Sequence, residues 1–203
     1  MFKYTLRRLT PSDRPLHEQM SQIIVANLPR EDFLIPMTPE EYDDTFVDGS
    51  PDIVYGLFDH DELIATSSLL HDVRAYSQQP EVADILTHRC AEIGECMVLP
   101  SHRGQGLMLQ LNQLLKKDAQ RLGIEYMLAT AHPENVASNT SLRKLGFQLV
   151  KTFDRHGYLR NLYTMKVFTP YEEYCQHQLS DMEDDLEGRC FGDMLEGHFV
   201  RSH

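Results

Sequence analysis

The segment from Val98 to Lys117, VLPSHRGQGLMLQLNQLLKK, places an arginine and two glycines directly before a run with helical periodicity. Gly104 and Gly106 allow the backbone to approach a ligand closely, because glycine has no side chain. The first turn of the following helix leaves backbone N–H groups without partners, and the helix dipole places partial positive charge there. The segment therefore predicts an anion site, with a phosphate group as its ligand.

Two well-known phosphate-binding motifs do not fit this segment. A dinucleotide-binding loop requires GxGxxG, and Leu109 stands where the third glycine belongs. A P-loop requires GxxxxGK[ST], which the sequence lacks here. The phosphate must therefore belong to a ligand that another type of loop binds.

Hydrophobic periodicity and turn residues predict the elements that hold this loop. A strand precedes the loop in RCAEIGECMVL, and a helix follows from Leu107 until Gly123 ends it. Elsewhere the sequence predicts a strand in 2–10, a helix in 11–28 capped by Ser12 or Asp13, and a short helix capped by Thr38. It further predicts a hairpin turning at DHDE, a loop with a helical turn in 74–88, a strand in 124–131, a helix in 134–146 and a strand pair turning near DRHG.

The net charge, the apolar runs and the cysteine spacing argue against several classes of protein. The formal net charge is −12, which argues against a nucleic-acid-binding face, because phosphate backbones require basic surfaces. No apolar run is long enough for a membrane-spanning helix, and the N-terminus lacks the apolar core of a signal peptide, so we expect a cytoplasmic protein without a membrane partner. The four cysteines form no CxxC pair, and we expect neither disulfides nor a metal site.

The last part of the chain, residues 169–203, differs from the rest. It contains nine Asp and Glu residues against two arginines, together with several aromatic and aliphatic residues. A disordered tail would carry fewer apolar side chains, so we expect partial helix. The sequence thus predicts a domain in residues 1–168 and an acidic C-terminal extension in 169–203.

The loop resembles the pyrophosphate loop of the GNAT family of acyl-CoA N-acyltransferases. The family motif, Q/R-x-x-G-x-G/A after a V-x-P segment, is matched by Val98, Pro100, Arg103 and Gly106, with Met108 in place of the final small residue. A second block, HPENVASNTSLRKLGF, resembles the Asn-rich helix of the family that ends in K-x-G-F. The resemblance implies an α/β (α+β) fold with a mixed, mostly antiparallel central sheet flanked by helices.

The resemblance also implies acetyl-CoA as co-substrate and no metal. The backbone amides of the loop would bind the CoA pyrophosphate, and the preceding strand would pair with pantetheine through its backbone. The implied cofactor-binding residues are Met97, Val98, Arg103, Gly104, Gln105, Gly106, Leu107, Met108 and Asn135. For Asn135, contact with the cofactor and a plain helix N-cap both remain open.

Two carboxylates on the strand before the loop are candidate catalytic bases. Attack of an amine on a thioester requires a neutral amine, so a carboxylate or a water chain takes up its proton. The resemblance implies an acid near Glu92 or Glu95. In a regular strand the two would point to opposite faces, but the bulge that the family has here changes that count. Both remain candidates, with a satisfied ion pair as the structural alternative for each.

The group that protonates the leaving thiolate is harder to assign. Many family members use a tyrosine in the last helix, and Leu142 stands at the matching position. His132 is a substitute candidate, with a structural role in a loop as the alternative. We expect Asn139 to be an ordinary residue on the surface of that helix.

The sequence therefore predicts an N-acetyltransferase that transfers an acetyl group from acetyl-CoA to a primary amine by direct attack in a ternary complex. Two alternatives stay open: a catalytically inactive acyl-CoA-binding regulatory module, favoured by Leu142 and Met108, and a scaffold that acts through the acidic tail. The acceptor is also open, because segments 12–50 and 70–90 carry no recognisable motif. A small amine, an aminoglycoside-like drug, an amino acid and a peptide N-terminus all fit, as does a homodimer.

Overall fold

The computed structural model describes residues 3–155, 157–169 and 171–173. In chain order, its helices and longer strands are β1 (Thr5–Arg8), α1 (Arg14–Ala26), α2 (Pro39–Thr45), β2 (Ile53–Asp59), β3 (Glu62–Leu70), β4 (Cys90–Val98), α3 (Leu107–Leu122), β5 (Tyr126–Ala131), α4 (Val136–Leu145), β6 (Gln148–Arg155) and β7 (Tyr158–Lys166).

Within these residues the strands form one sheet in the order β1-β2-β3-β4-β5-β7-β6. β4 and β5 are parallel, because α3 carries the chain back across the sheet between them. The other neighbouring strands are antiparallel. The predicted mixed, mostly antiparallel sheet flanked by helices is confirmed.

Helix starts follow local capping chemistry. Thr38 caps α2 as predicted, since its hydroxyl accepts a hydrogen bond from the backbone N–H of Glu41 at 3.2 Å. Asp13 is the N-cap residue of α1, as predicted, but its side chain forms no capping hydrogen bond, because the carboxylate turns back toward β1. It accepts hydrogen bonds from the backbone N–H of Thr10 at 2.8 Å and from the guanidinium of Arg7 at 2.7 Å. These contacts hold the start of α1 against the first strand.

The segment between β3 and β4 is a loop, as predicted, but it is anchored more firmly than its polarity indicates. It contains three short 3-10 turns, Arg74–Tyr76, Pro80–Val82 and Ile85–Thr87. Tyr76 and Val82 are fully buried against the sheet, in a cluster with Leu128 and Leu162. The loop therefore forms a fixed wall beside β4.

A β-bulge interrupts the pairing of β3 with β4. Thr66 pairs with Met97 and Ser68 pairs with Gly94, so two residues of β4 lie opposite a single residue of β3. Glu95, inside the bulge, has a φ of 48°, in the left-handed region. On the other side of β4, the ladder with β5 covers only the first four residues of β4, Cys90 to Ile93. A notch therefore opens between the C-terminal halves of β4 and β5.

The side chain of Asn139 holds α4 in position through buried hydrogen bonds. It is 3% exposed, so the expectation of a surface position is wrong. Its Nδ2 donates to the backbone carbonyls of His132 at 2.8 Å and Asn135 at 2.7 Å. Its Oδ1 accepts from Nδ2 of Asn161 at 3.0 Å and from the hydroxyl of Tyr163 at 2.6 Å. One side chain thus ties the start of α4 to β7.

The first compact unit of the chain ends at Val167. The acidic extension predicted for 169–203 lies outside the described residues, apart from residues 169 and 171–173, and the boundary at 168 stays a prediction. At its start, the Glu172 carboxylate accepts hydrogen bonds from the backbone N–H of Thr169 at 2.9 Å and from its hydroxyl at 2.8 Å. Among the described residues, no helix combines the length and apolar character needed to cross a bilayer.

We predict that Asn139→Leu lowers the free energy of unfolding by about 2–4 kcal/mol, because it leaves several buried polar groups without partners. Urea denaturation followed by circular dichroism measures this change. Arg143→Ala, at an exposed position of the same helix, is the control and should change stability by less than about 0.5 kcal/mol. Equal stability of Asn139→Leu and the parent would contradict the role of Asn139 as the tie between α4 and β7.

Candidate functional site

The loop between β4 and α3 has the backbone that its sequence predicts. Gly104 and Gly106 have φ values of 78° and 72°, and Gly106 is the N-cap of α3. A Cβ atom added to either glycine would meet no atom within 4 Å, so this side of the loop is open to a ligand. α3 is sixteen residues long, and its dipole places partial positive charge at its N-terminal end. The first N–H groups at that end have no partners within the helix.

A cleft of about 540 Å³ lies over this loop and continues between the end of β4 and α4. Its lining includes Arg103, Lys144 and His102, but none of the aspartates or glutamates of the described residues. The rest of the lining is mainly aliphatic. In a chain with a net charge of −12, an acid-free cleft at a helix N-terminus is suited to an extended ligand with an anionic group.

The structure brings nearly all of the predicted cofactor-binding residues to this cleft. Its lining contains Met97, Val98, Arg103, Gly104, Gly106, Leu107, Met108 and Asn135. Gln105 is the exception, because its side chain turns away and accepts a hydrogen bond from the hydroxyl of Tyr4 at 2.9 Å. The Oδ1 of Asn135 accepts from the backbone N–H of Ser138 at 3.2 Å, so it caps α4 from a position on the cleft wall.

A second cavity, of about 190 Å³, lies on the other side of the bulge. Its walls come from the 33–37 segment, α2, the middle of β4, the C-terminal ends of β3, β5 and β6, and the start of β7. Both cavities are lined by Phe33, Leu34, Cys96 and Ser138, so they meet at the notch. A ligand in the larger cleft and a small molecule in the second cavity would therefore come into contact beside Cys96 and Ser138.

Glu92 lines the second cavity but is fully paired. Its carboxylate forms an ion pair with the guanidinium of Arg155, with Nη1 and Oε1 separated by 2.9 Å. The same Nη1 donates to the hydroxyl of Tyr76 at 3.0 Å. Burial and the charge of Glu92 raise the pKa of Tyr76 well above its ordinary value, so the hydroxyl stays protonated. The structural alternative for Glu92, a satisfied buried ion pair, is what the geometry favours.

Glu95 lines the same cavity without a partner. It is 9% exposed, and its Oε2 is buried with no hydrogen bond to any described residue. Burial raises the pKa of this carboxyl to about 8, with smaller contributions from the charges of Glu41 and Glu92. Glu95 is therefore a carboxyl that exchanges a proton near neutral pH inside a cavity. Of the two predicted bases, it is the one with an available oxygen.

Three other groups near the notch are less suited to proton transfer or nucleophilic attack. Leu142 is buried in the core and has no exchangeable proton. His132 is 2% exposed; its Nδ1 accepts from the backbone N–H of Glu134, and its Nε2 lies 3.3 Å from the Asp32 carboxylate. Burial raises the pKa of the Cys96 thiol to about 11, which keeps it protonated. His132 therefore has the structural role.

Two arginines of the second cavity are not predicted from the sequence. Arg155 is the last residue of β6 and Arg160 lies near the start of β7, so the two flank the turn of the β6–β7 hairpin and reach the cavity from far along the chain. No local motif marks them, because only the register of the hairpin against β5 determines where they point. In the described part of the chain, no group of three His, Cys, Asp or Glu residues is arranged to hold a metal ion.

The model of the Acetyltransferase (GNAT) family matches residues 18–147. An N-acetyltransferase from Staphylococcus aureus Mu50 is similar in structure, with 18% identity, a TM-score of 0.63, and coverage of 81% of this chain and 99% of its own. The yncA protein of Salmonella typhimurium, solved with its cofactor acetyl-CoA, has 18% identity, coverage of 81% and 94%, and a TM-score of 0.61. NAA60 of Arabidopsis thaliana in complex with acetyl-CoA has 16% identity, coverage of 81% and 98%, and a TM-score of 0.60. Comparison with curated protein sequences finds no match.

We predict that Glu95→Gln stabilises the fold at pH 8. The folded state holds the Glu95 proton up to about pH 8, whereas the unfolded state releases it near the ordinary pKa of 4.5. Between these values the folded state binds more protons, so this group makes stability fall as pH rises. Glutamine removes that loss, and the gain should grow from pH 5 to pH 8 and reach about 1–3 kcal/mol.

Urea denaturation of both proteins across this pH range measures the effect. Glu62→Gln, at the exposed start of β3, is the control and should show no such growth with pH. A Glu95→Gln gain that is independent of pH would contradict the assignment of a raised pKa to Glu95.

Proposed function

We propose that this chain, which belongs to the Acetyltransferase (GNAT) family, transfers an acetyl group from acetyl-CoA to a primary amine by direct attack within a ternary complex. Family membership makes it an acyl-CoA-dependent N-acyltransferase with acetyl-CoA as co-substrate. The mechanism and the assignment of residues are our proposal. The observation that carries them is the junction of an acid-free cleft with a small cavity at the bulge of β4, where Oε2 of Glu95 has no hydrogen-bond partner among the described residues.

Acetyl-CoA fits the larger cleft by charge and shape. The pyrophosphate would lie against the N–H groups at the start of α3, close to the glycines whose open side leaves room for it. Arg103 and Lys144 line the cleft and add positive charge. The chain of pantetheine would follow the aliphatic wall into the notch, where β4 has no ladder with β5 beyond Ile93. This places the thioester at the junction of the two cavities.

The acceptor would enter through the second cavity. Its amine nitrogen attacks the thioester carbonyl, forming the C–N bond of the amide as the C–S bond breaks. The proton lost by the nitrogen passes to the Glu95 carboxylate, and the CoA thiolate leaves and takes up a proton from solvent. Backbone N–H near Val98 would stabilise the oxyanion. The products are the N-acetylated acceptor and free CoA.

Direct attack is favoured over an acyl-enzyme intermediate. Cys96 is the thiol at the junction, and a nucleophilic cysteine needs to be a thiolate. Burial raises its pKa to about 11, and its sulfur lies 3.1 Å from the hydroxyl of Ser67. A protonated thiol in this position lines the site and does not act as the nucleophile. Holding amine and thioester side by side then supplies much of the rate.

The inactive regulatory module is a second candidate that one observation favours. Leu142 is buried where many family members have a tyrosine, so the commonest proton donor to the thiolate is absent at that position. The CoA thiolate is a tolerable leaving group without it. Measured turnover separates the two candidates, because a module would bind acetyl-CoA and release no CoA with any amine.

We predict that calorimetric titration shows micromolar binding of acetyl-CoA and that Gly106→Glu weakens it at least about 100-fold, equivalent to about 2.7 kcal/mol. The introduced carboxylate would occupy the pyrophosphate position and repel it. Gly49→Glu is the matched control, because Gly49 also has a positive φ, 83°, with nothing within 4 Å of an added Cβ, and lies outside the cleft lining. Equal weakening by both variants would attribute the effect to backbone strain. No binding by the folded parent would overturn the proposal.

We predict that Glu95→Gln lowers kcat by about 10²–10⁴-fold, the usual contribution of a general base, and leaves the Kd of acetyl-CoA unchanged. The kcat of the parent should rise with pH up to about 8, as Glu95 loses its proton. Glu41→Gln is the control, because glutamine can still accept from Thr38 in the capping box. Removing the charge of Glu41 lowers the pKa of Glu95, so the profile should shift to lower pH with activity retained.

The pH profile should be recorded with an acceptor whose amine has a low pKa, so that the amine itself does not titrate in the same range. An unchanged profile in Glu41→Gln, together with an active Glu95→Gln variant, would show that Glu95 is not the base.

A further inference from the structure

We infer that the acceptor is a free amino acid, whose amine faces Glu95 and whose carboxylate binds Arg160 in the second cavity. This inference rests on the proposed acyl transfer and adds the class of the acceptor. Two buried groups carry it: both line the same cavity, and neither forms an ion pair with a described residue.

Arg160 is a guanidinium buried without a carboxylate. It is 2% exposed, and Nη1 donates to the backbone carbonyls of Asp32 and Leu159. Its Nη2 is buried and has no hydrogen-bond partner, and no carboxylate of the described residues lies within ion-pair distance of it. An unpaired buried charge destabilises the fold unless a group of opposite charge compensates it. A ligand carboxylate matches the fork of donors that a guanidinium presents.

The other charged residues of the cavity already have partners or lie at the exposed rim. Glu92 is paired with Arg155, and Asp72 with Arg74. Glu41 accepts from the backbone N–H of its own helix cap. Asp52 accepts from a hydroxyl and a backbone N–H, and Asp44 is exposed. The buried groups left to recognise a ligand are therefore one carboxyl, Glu95, and one guanidinium, Arg160.

These two groups select opposite ends of one small molecule. A carboxyl that exchanges a proton near neutral pH suits an amine, and a guanidinium suits a carboxylate. The cavity volume of about 190 Å³ is below the range of about 300–1,000 Å³ that is typical of drug-sized ligands. The apolar 33–37 segment forms one wall and suits a hydrocarbon side chain. A single amino acid combines all of these features.

A protein or peptide N-terminus would leave the charge of Arg160 without a counter-ion. Its first residue carries an amide where a free amino acid carries a carboxylate, and an amide does not neutralise a guanidinium. A plain amine or a diamine lacks the anionic group altogether. The amide and the decarboxylated amine of each amino acid are therefore the decisive comparison compounds.

The test is calorimetric titration of the protein saturated with CoA, which binds without reacting. The probes are the common L-amino acids, each with its amide and its decarboxylated amine; for L-leucine these are L-leucinamide and isoamylamine. We expect the best-binding amino acid to bind at least about 10-fold more tightly than its amide and its amine, since sites built to bind a polar group reject analogues that lack it. Arg160→Met should remove this preference, and Arg160→Lys should retain part of it.

Arg143→Met, at an exposed position of α4, is the matched control and should keep the full preference. Amides or amines that bind as tightly as the acids, or a panel in which no amino acid binds, would overturn the inference. So would a preference that survives in Arg160→Met. If Arg160→Met does not fold, the affinities of the parent protein for each amino acid and its amide still test the inference.

CoA release with the same panel separates this inference from the proposed function. Turnover with amides or amines but not with acids would overturn the amino-acid acceptor and leave acetyl transfer intact. Binding of acids that depends on Arg160, without CoA release from any member of the panel, would support the carboxylate site and overturn the transfer.

Discussion

The β-bulge at Glu95 is the local constraint on which the site depends. Two residues of β4 must fit opposite Ser67, and the strand accommodates them by placing Glu95 at a φ of 48°. This turns the carboxyl toward the second cavity. β4 also leaves its ladder with β5 after Ile93, which opens the notch. A regular strand at this position would close the notch and move the side chains that follow to the opposite faces of the sheet.

The two cavities that meet at that bulge differ in the charges of their lining residues. The chain is acidic overall, yet the cleft over the start of α3 is lined by basic and apolar residues. The second cavity collects several carboxylates together with two arginines. Within this lining, among the described residues, Glu92 and Arg155 form an ion pair, and the remaining carboxylates outnumber the remaining arginine. Two chemically different ligands can therefore meet at the notch without either binding well in the cavity of the other.

Two residues of the site, Glu95 and Arg160, have features that lower the stability of the fold. Glu95 combines a left-handed backbone conformation with a buried, unpartnered carboxyl, and Arg160 adds a buried guanidinium nitrogen without a hydrogen bond. Such strain and desolvation persist where the surrounding fold determines the geometry. Here the anchored loop around Tyr76 and the contacts of Asn139 supply that rigidity. A site that contains strained and desolvated groups is less stable than it could be, and this trade-off between stability and activity is common at active sites.

The elements, the family fold and the glycine-containing loop before α3 follow from the amino-acid sequence alone, because they depend on periodicity, caps and glycines within short stretches. Gly104 and Gly106 mark the loop by residue type, since left-handed turns before a helix favour glycine. Which carboxylate is available depends instead on the tertiary structure. Glu92 and Glu95 look alike in sequence, but Glu92 forms an ion pair with Arg155 from a distant hairpin, and Glu95 forms none with any residue that the structure describes. The physical reason is that burial and pairing depend on which strands become neighbours, and no local pattern encodes that.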